Sequence, residues 1–313
     1  MDITIISPVY NEEMVIEQFL GALFSTLDKT ELSFEVILVN DGSTDLTLKK
    51  IQDFKGKNLK VVNLVSNSGH MAALEAGLAH AKGSLVVTMD ADLQHPVELI
   101  PEMIRMQQES CSDVVIGQRL RGNEESWPRR VFASIFYKTL SKVSKIEVLN
   151  DAGDFRLMTI QVVKTLNALP ETQKVFRFLI NSLGYRVEVL QFRSPRRAAG
   201  ESKYKFRDLF KFALTSLIGF STFPLSAIFF GGILIFSLSI GYSFFLVRQY
   251  MQDAVVPGWT SVMVSILLLS AVQVVSLGVI GRYISQILVE IRRRPSYLVR
   301  DIVKHSYEEK NNF

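Results

Sequence analysis

Leu85-Val86-Val87-Thr88-Met89-Asp90-Ala91-Asp92-Leu93-Gln94-His95-Pro96 is a short apolar run that ends in alternate carboxylates. An apolar run of this length bounded by polar residues predicts a buried strand, here Leu85–Met89. Two carboxylates two residues apart at the exit of a strand concentrate negative charge at one point, which is costly unless a cation neutralises it. A hard divalent ion such as Mg²⁺ is satisfied by one or two carboxylates together with diphosphate oxygens and water. The plain alternative is an acidic turn ahead of a helix started by Pro96, since Asp-x-Asp alone is a common triplet. His95 is read as a solvated or capping loop residue with no metal role.

Outward from this point the first two hundred residues alternate short β-branched runs with amphipathic stretches. Strands are predicted at Ile3–Ser7, Glu35–Asn40, Lys60–Leu64, Asp113–Ile116 and Arg186–Phe192. Helices are predicted at Glu12–Leu27, Leu46–Phe54, Met71–Ala81, Val97–Gln108 and Trp127–Val143. Strand followed by helix, repeated, predicts an α/β domain with a mostly parallel sheet. Ligands in such sheets bind at the carboxyl ends of the strands. Ser7-Pro8-Val9-Tyr10-Asn11-Glu12-Glu13 and Asn40-Asp41-Gly42-Ser43-Thr44-Asp45 both fall there. Taken singly they read as loop chemistry, with Asn11 and Ser43 or Thr44 as helix caps and Gly42 as a turn residue. Side by side, with a carboxylate able to bond a base edge or ribose hydroxyl, they would frame a nucleoside.

The composition narrows the function classes. Of 313 residues, 48% are hydrophobic and 21% charged, which excludes a disordered chain. Lysine plus arginine outnumber aspartate plus glutamate by only 35 to 31, so no nucleic-acid partner is expected. The single cysteine, Cys111, excludes an intramolecular disulfide and a Cys-based zinc cluster. Met1-Asp2-Ile3-Thr4 lacks the basic and apolar regions of a cleavable signal peptide.

The apolar excess lies in the last third, where Thr215–Val247 and Ala254–Gly281 carry no Asp, Glu, Lys or Arg. Each run exceeds the roughly 20 residues that cross a hydrocarbon core. A helical hairpin with spans at 223–247 and 259–281 is predicted, tied by a short connection containing Arg248, Tyr250, Asp253 and Trp259. Basic residues flank it, Lys203, Lys205, Arg207 and Lys211 before and Arg282, Arg292, Arg293 and Arg294 after, which predicts both ends on the cytoplasmic side. The segment from Lys174 to Lys211 holds ten Lys or Arg against three Asp or Glu, an attraction to anionic headgroups. The division is then a catalytic domain at 1–200, an amphipathic juxtamembrane segment at 201–222, the hairpin at 223–281 and a basic cytoplasmic tail at 282–313.

Pro8-Val9-Tyr10-Asn11-Glu12, Asn40-Asp41-Gly42-Ser43-Thr44-Asp45, Asn67-Ser68-Gly69-His70 and Asp90-Ala91-Asp92-Leu93-Gln94 all follow predicted strands in order. Together with Gly153-Asp154-Phe155-Arg156-Leu157-Met158, Gly200-Glu201-Ser202-Lys203-Tyr204, Gly278-Val279-Ile280-Gly281-Arg282-Tyr283 and Arg294-Pro295, they resemble the family 2 glycosyltransferases of GT-A fold. The resemblance spans nearly the whole chain and points to the polyprenyl-phosphate branch, the bacterial bactoprenol glucosyltransferases and, more distantly, the dolichyl-phosphate mannose synthases. It implies that Pro8, Tyr10, Glu12 and Asp41 hold the nucleotide, with Gln94 facing the same pocket. It further implies that Asp90 and Asp92 hold Mg²⁺ or Mn²⁺ and the diphosphate, with Asp92 the more direct ligand. Asp154 is the implied catalytic base; the plain alternative is a salt-bridge partner for Arg156.

A lipid phosphate held near a membrane calls for several fixed cations, and Arg119, Arg129, Arg130, Arg197 and Lys203 are the candidates. The expected reaction is inverting transfer of one sugar, glucose from UDP-glucose by resemblance, to undecaprenyl phosphate at the cytoplasmic face of a bacterial inner membrane. GDP-mannose or another nucleotide sugar is the alternative donor. A processive synthase would need a Gln-x-x-Arg-Trp motif that is absent, and a nonenzymatic sensor would not require both Asp92 and Asp154. Small residues in the first span, Gly231, Gly232, Ser237, Ser239 and Gly241, allow close helix contact and predict a homo-oligomer, a tetramer by analogy with bacterial relatives.

Overall fold

The computed structural model describes residues 1–120, 152–171, 174–193 and 258–305, with scattered helical positions between 225 and 248. The chain divides into two compact units, one of Met1–Ser141, Ile146–Lys203 and Arg294–Phe313, the other of Lys142–Lys145 and Tyr204–Arg293.

The first unit is built on an eight-stranded sheet. In chain order the strands are β1 (Ile3–Val9), β2 (Phe34–Asn40), β3 (Leu59–Leu64), β4 (Leu85–Thr88), β5 (Val114–Arg119), β6 (Ala152–Thr159), β7 (Val187–Phe192) and β8 (Val299–His305). Their spatial order is β7-β5-β6-β4-β1-β2-β3-β8. The β1–β2, β1–β4, β2–β3 and β5–β7 pairings are parallel, as alternating strands and helices predict. The β4–β6, β5–β6 and β3–β8 pairings are antiparallel, so the sheet is mixed.

The helices are α1 (Ile16–Leu27), α2 (Thr47–Asp53), α3 (His70–Ala79), α4 (Ile100–Ser110), α5 (Ile160–Ala168), α6 (Phe176–Ser182) and, in the second unit, α7 (Trp259–Arg292). Both faces of the sheet are covered, which is why its central strands read as unbroken apolar runs; every residue of β2 is buried. Alternation assigns the faces. Ile3, Ile5, Val36, Leu38 and Val87 pack with α1 and α4 residues such as Phe19, Leu23 and Met103, whereas Ile6, Ile37, Val39 and Val86 pack with Ala73, Leu78 and Val163 from α3 and α5. Helix α3 lies so close to the sheet that a Cβ at Gly77 would overlap Ile6.

Two strands depart from the sequence expectations. Neither β6 nor β8 was expected, and β8 falls in the segment read as a tail. The helix α7 contains the predicted second span but continues to Arg292, and the chain then returns as the edge strand beside β3. The 1–200 domain therefore lacks part of its own sheet, because Val299–His305 complete it. The pairing satisfies the outer N–H and C=O groups of β3, whose Val61 and Val62 are buried, and leaves the sheet's open edge to the mostly exposed β8.

In the second unit, α7 has 34 residues and carries exposed Val274, Val275, Leu277 and Ile291. Among the described residues it is the one helix long and apolar enough to cross a membrane, over Val272–Arg292. The first predicted span lies mostly outside the described residues, and its described positions 225, 228, 230–234, 237, 238 and 241 are helical.

Candidate active site

The loops after β1 and β2 are laced together. Asn11 adopts the left-handed conformation, φ 53°, which its short polar side chain tolerates. Its Oδ1 accepts the N–H of Thr44 at 2.9 Å, and its own N–H donates to Ser43 Oγ at 3.1 Å. The next two amides also cross over, Glu12 N–H to Thr47 Oγ1 at 2.8 Å and Glu13 N–H to Asp45 Oδ2 at 3.2 Å. These side chains thus satisfy the neighbouring loop, Asp45 also accepting the N–H of Thr47 at the start of its own helix at 3.0 Å, and α1 begins later than predicted, with no side-chain cap.

A third loop joins through Asp41. Its buried carboxylate accepts the N–H groups of Ser68 at 2.7 Å and Gly69 at 3.0 Å. Burial pushes the Asp41 carboxyl above its ordinary value, against the pull of those two N–H groups and of His70. Gly42 makes the close approach possible. It holds φ at 68°, and a Cβ there would stand 2.8 Å from the backbone nitrogen of Asn67. Between these loops and β8 lies a cleft of about 470 Å³, lined in part by Tyr10, Gly42, Ser43, Asn67, Arg300 and Asp301. Of the residues expected to meet a nucleotide, Tyr10 lines this cleft, while Pro8 sits within β1, Glu12 at the approach to α1, and Asp41 binds the third loop.

The residue after Gly69 reaches two of the candidate carboxylates. His70, the first residue of α3, places Nε2 3.1 Å from Asp154 Oδ2 and 3.5 Å from Asp90 Oδ1. Asp154, on β6, is nearly buried, and its Oδ1 accepts Arg156 Nη2 at 3.2 Å. Thr88 Oγ1 donates to the Asp154 carbonyl at 2.7 Å, fixing β6 against the end of β4. The alternative read from sequence, an Asp154–Arg156 salt bridge, is thus present, yet it occupies one oxygen and leaves the other turned toward His70.

His95 is packed, not solvated. Its ring stacks on Phe155 with centroids 5.2 Å apart, and Nδ1 accepts the Asp90 N–H at 2.9 Å, which leaves the ring proton on Nε2, 3.7 Å from Asp90 Oδ2. Leu93, at φ 62°, is a strained position within the same turn. Gln94 N–H donates to Asp92 Oδ1 at 3.0 Å, and Arg119 Nη1 donates to Gln94 Oε1 at 3.3 Å. Arg129, Arg130, Arg197 and Lys203 lie outside the described residues.

Residues 4–166 match the family model Glycosyl transferase family 2. The chain belongs to glycosyltransferase family 2. An uncharacterized glycosyltransferase of Synechocystis is 38% identical over 305 residues, covering 96% of each chain. The SfII prophage-derived bactoprenol glucosyl transferase of Shigella flexneri is 34% identical over 303 residues, covering 96% of this chain and 98% of that one. Glucosyl-3-phosphoglycerate synthase of Mycobacterium tuberculosis, solved with Mn²⁺, UDP and phosphoglyceric acid, superposes with a TM-score of 0.51 at 19% identity, over 69% of this chain and 76% of that one. The fold is GT-A and the protein is a glycosyltransferase.

Sequence reasoning missed the residues that join the acidic turn and the β6 carboxylate. His70 stood inside a quoted motif with no role given, and Arg156 entered only as a rival explanation of Asp154. Arg300 and Asp301 gave no signal, because nothing local tells that β8 returns to the cleft.

Among the described residues no cluster of three His, Cys, Asp or Glu side chains forms a complete metal site. Asp90 and Asp92 are nonetheless hard oxygen donors at one turn, the partial set that suits a divalent ion completed by diphosphate and water.

Proposed function

We propose that this glycosyltransferase transfers one glucose from UDP-glucose, with inversion, to undecaprenyl phosphate at the cytoplasmic face of a bacterial inner membrane. The observation that carries the reading is the convergence of Asp154 and Asp90 on His70, which puts a held carboxylate beside the turn that would meet a diphosphate. Similarity to bactoprenol glucosyl transferases over nearly the full length supports the acceptor and the sugar.

In this reading Tyr10 and the loops after β1, β2 and β3 hold the nucleoside, and Asp41 keeps the second and third loops together. A divalent cation, Mg²⁺ or Mn²⁺, held by Asp92 with Asp90 would offset the charge on the departing nucleoside diphosphate. Asp154 acts on the acceptor. A phosphate monoester with a second pKa near 6 is largely ionised at pH 7, so it needs orientation by cations more than deprotonation, and the carboxylate accepts what proton remains. Arg156 and His70 fix the carboxylate from two sides. Arg119, with Arg129, Arg130, Arg197 and Lys203, would grip the lipid phosphate.

Both ends of the chain lie on the cytoplasmic side of a two-helix hairpin, and the protein works as a homo-oligomer, a tetramer by analogy. The donor is tested by incubating membranes that contain the protein with UDP-glucose, UDP-galactose, UDP-N-acetylglucosamine and GDP-mannose in turn. Lipid product from UDP-glucose well above the others is expected, and preference for GDP-mannose would replace the donor.

A further inference from the structure

The strand that follows α7 in sequence is wired into the loops on which the proposed nucleotide site depends. Across the β3–β8 pairing Asn63 stands opposite Asp301, and Asn63 Nδ2 donates to Asp301 Oδ1. Asn63 Oδ1 in turn accepts Asn40 Nδ2 at 3.1 Å, and Asn40 Oδ1 accepts the N–H of Ser43 at 3.0 Å. Ser43 Oγ then takes the N–H of Asn11, so one unbroken line of hydrogen bonds runs from β8 to the loops after β2 and β1.

The line has a direction, set at one end by the Ser43 N–H, which only donates, and at the other by Asp301. An ionised carboxylate only accepts, so Asn63 must turn its NH₂ toward Asp301 and its oxygen toward Asn40. Asn40 must then turn its NH₂ toward Asn63, which leaves its oxygen for Ser43. Both asparagines are buried, 3% and 6% exposed, where a reversed amide would set donor against donor without water to relieve it. Asp301 is itself exposed on the edge strand and lines the same cleft as Tyr10, Ser43 and Asn67. Beside it Arg300 Nη2 donates to the carbonyl of Val65 at 3.0 Å, tying β8 to the third loop as well.

We propose that Asp301 is a positioning residue for the nucleotide-sugar donor, holding the Asn63 and Asn40 amides in the orientation that shapes the 40–44 loop. The inference rests on the reading that these loops bind the nucleotide. Part of the donor site is thereby supplied by chain that lies beyond the membrane-crossing helix in sequence, and residues 1–200 alone do not contain it.

The test uses the full-length protein in detergent with UDP as the probe, followed by steady-state kinetics with UDP-glucose and undecaprenyl phosphate. Asp301→Ala should weaken UDP binding and raise the donor KM about tenfold, the effect of orphaning one buried donor, with the acceptor KM and kcat little changed. Asp301→Asn retains an acceptor oxygen and should restore most of the loss. In an Asn63→Ala background Asp301→Ala should add nothing further. Unchanged UDP binding in Asp301→Ala, equal weakening of donor and acceptor, failure of Asn to restore, or full additivity with Asn63→Ala would each overturn the proposal. Failure of the wild-type protein to bind UDP, or indifference of binding to Asp41→Ala, would instead overturn the nucleotide-site reading beneath it.

Discussion

Asp154 is held through both carboxylate oxygens and through its backbone carbonyl, by Arg156, His70 and Thr88 respectively. A carboxylate so restrained can act on a reacting oxygen without first being ordered, which is where its catalytic value would lie. Asp154→Asn should therefore lower kcat by about 10²-fold or more with small changes in either KM, in the range for loss of a positioned acid–base group. Asp92→Asn should also remove most turnover, and added Mn²⁺ should recover part of its activity but none of that of Asp154→Asn. Steady-state kinetics across a metal titration separates the two, and equal recovery would mean that both carboxylates serve the metal. Asp41 gives a pH dependence. Because burial raises its folded pKa, ionising it opposes folding, so its contribution to stability is fullest below the ordinary carboxylate value of about 3.9 and declines as pH rises through the raised value. Binding runs the other way. Protonation replaces one acceptor facing Ser68 or Gly69 with an O–H, so UDP affinity should begin to fall on acidification at a pH above the usual aspartate range. A flat UDP titration down to pH 4, with the fold intact by circular dichroism, would contradict this.

At the scale of elements, the parallel centre of the sheet was legible because β1, β2 and β4 are buried on both faces and therefore spell unbroken apolar runs. The loops that follow them were legible for the same reason, since strand ends mark the ligand edge. The strand carrying Asp154 was not, because Asp154 and Arg156 are charged residues buried in β6 and break the apolar pattern that announces a strand. Nor was β8, since Val299-Arg300-Asp301-Ile302-Val303-Lys304-His305 pairs like residues instead of alternating them, is largely exposed, and has its partner more than two hundred residues away in sequence. What brings loops together was equally hidden: Gly42 was read as a turn residue, whereas the structure also needs it small so that the second and third loops touch. Gly42→Ala would have to enter the left-handed region and push against the Asn67 backbone. It should raise the donor KM severalfold or more while leaving the acceptor KM unchanged, and an unaltered donor KM would show that the two loops separate without cost.

For the whole molecule, the strands of the sheet both precede and follow α7 in sequence, which constrains the proposed membrane arrangement. Were α7 to cross a membrane alone, β8 would be stranded on the far side from β3, so the proposal requires an earlier span, for which the uncharged run from Thr215 to Val247 is long enough. With Cys111 replaced, a cysteine at Asn312 should resist an impermeant thiol reagent on intact cells and one at Gln252 should react. The opposite pattern would invert the orientation. The central claim, sugar transfer to a polyprenyl phosphate, is tested most directly by mass spectrometry of the lipid formed when purified protein is given UDP-glucose, Mg²⁺ and undecaprenyl phosphate. The account predicts a lipid that has gained one hexose and kept its single phosphate, formed in step with UDP and absent with Asp154→Asn. Free glucose as the main product, or a soluble glucoside in place of the lipid, would contradict it.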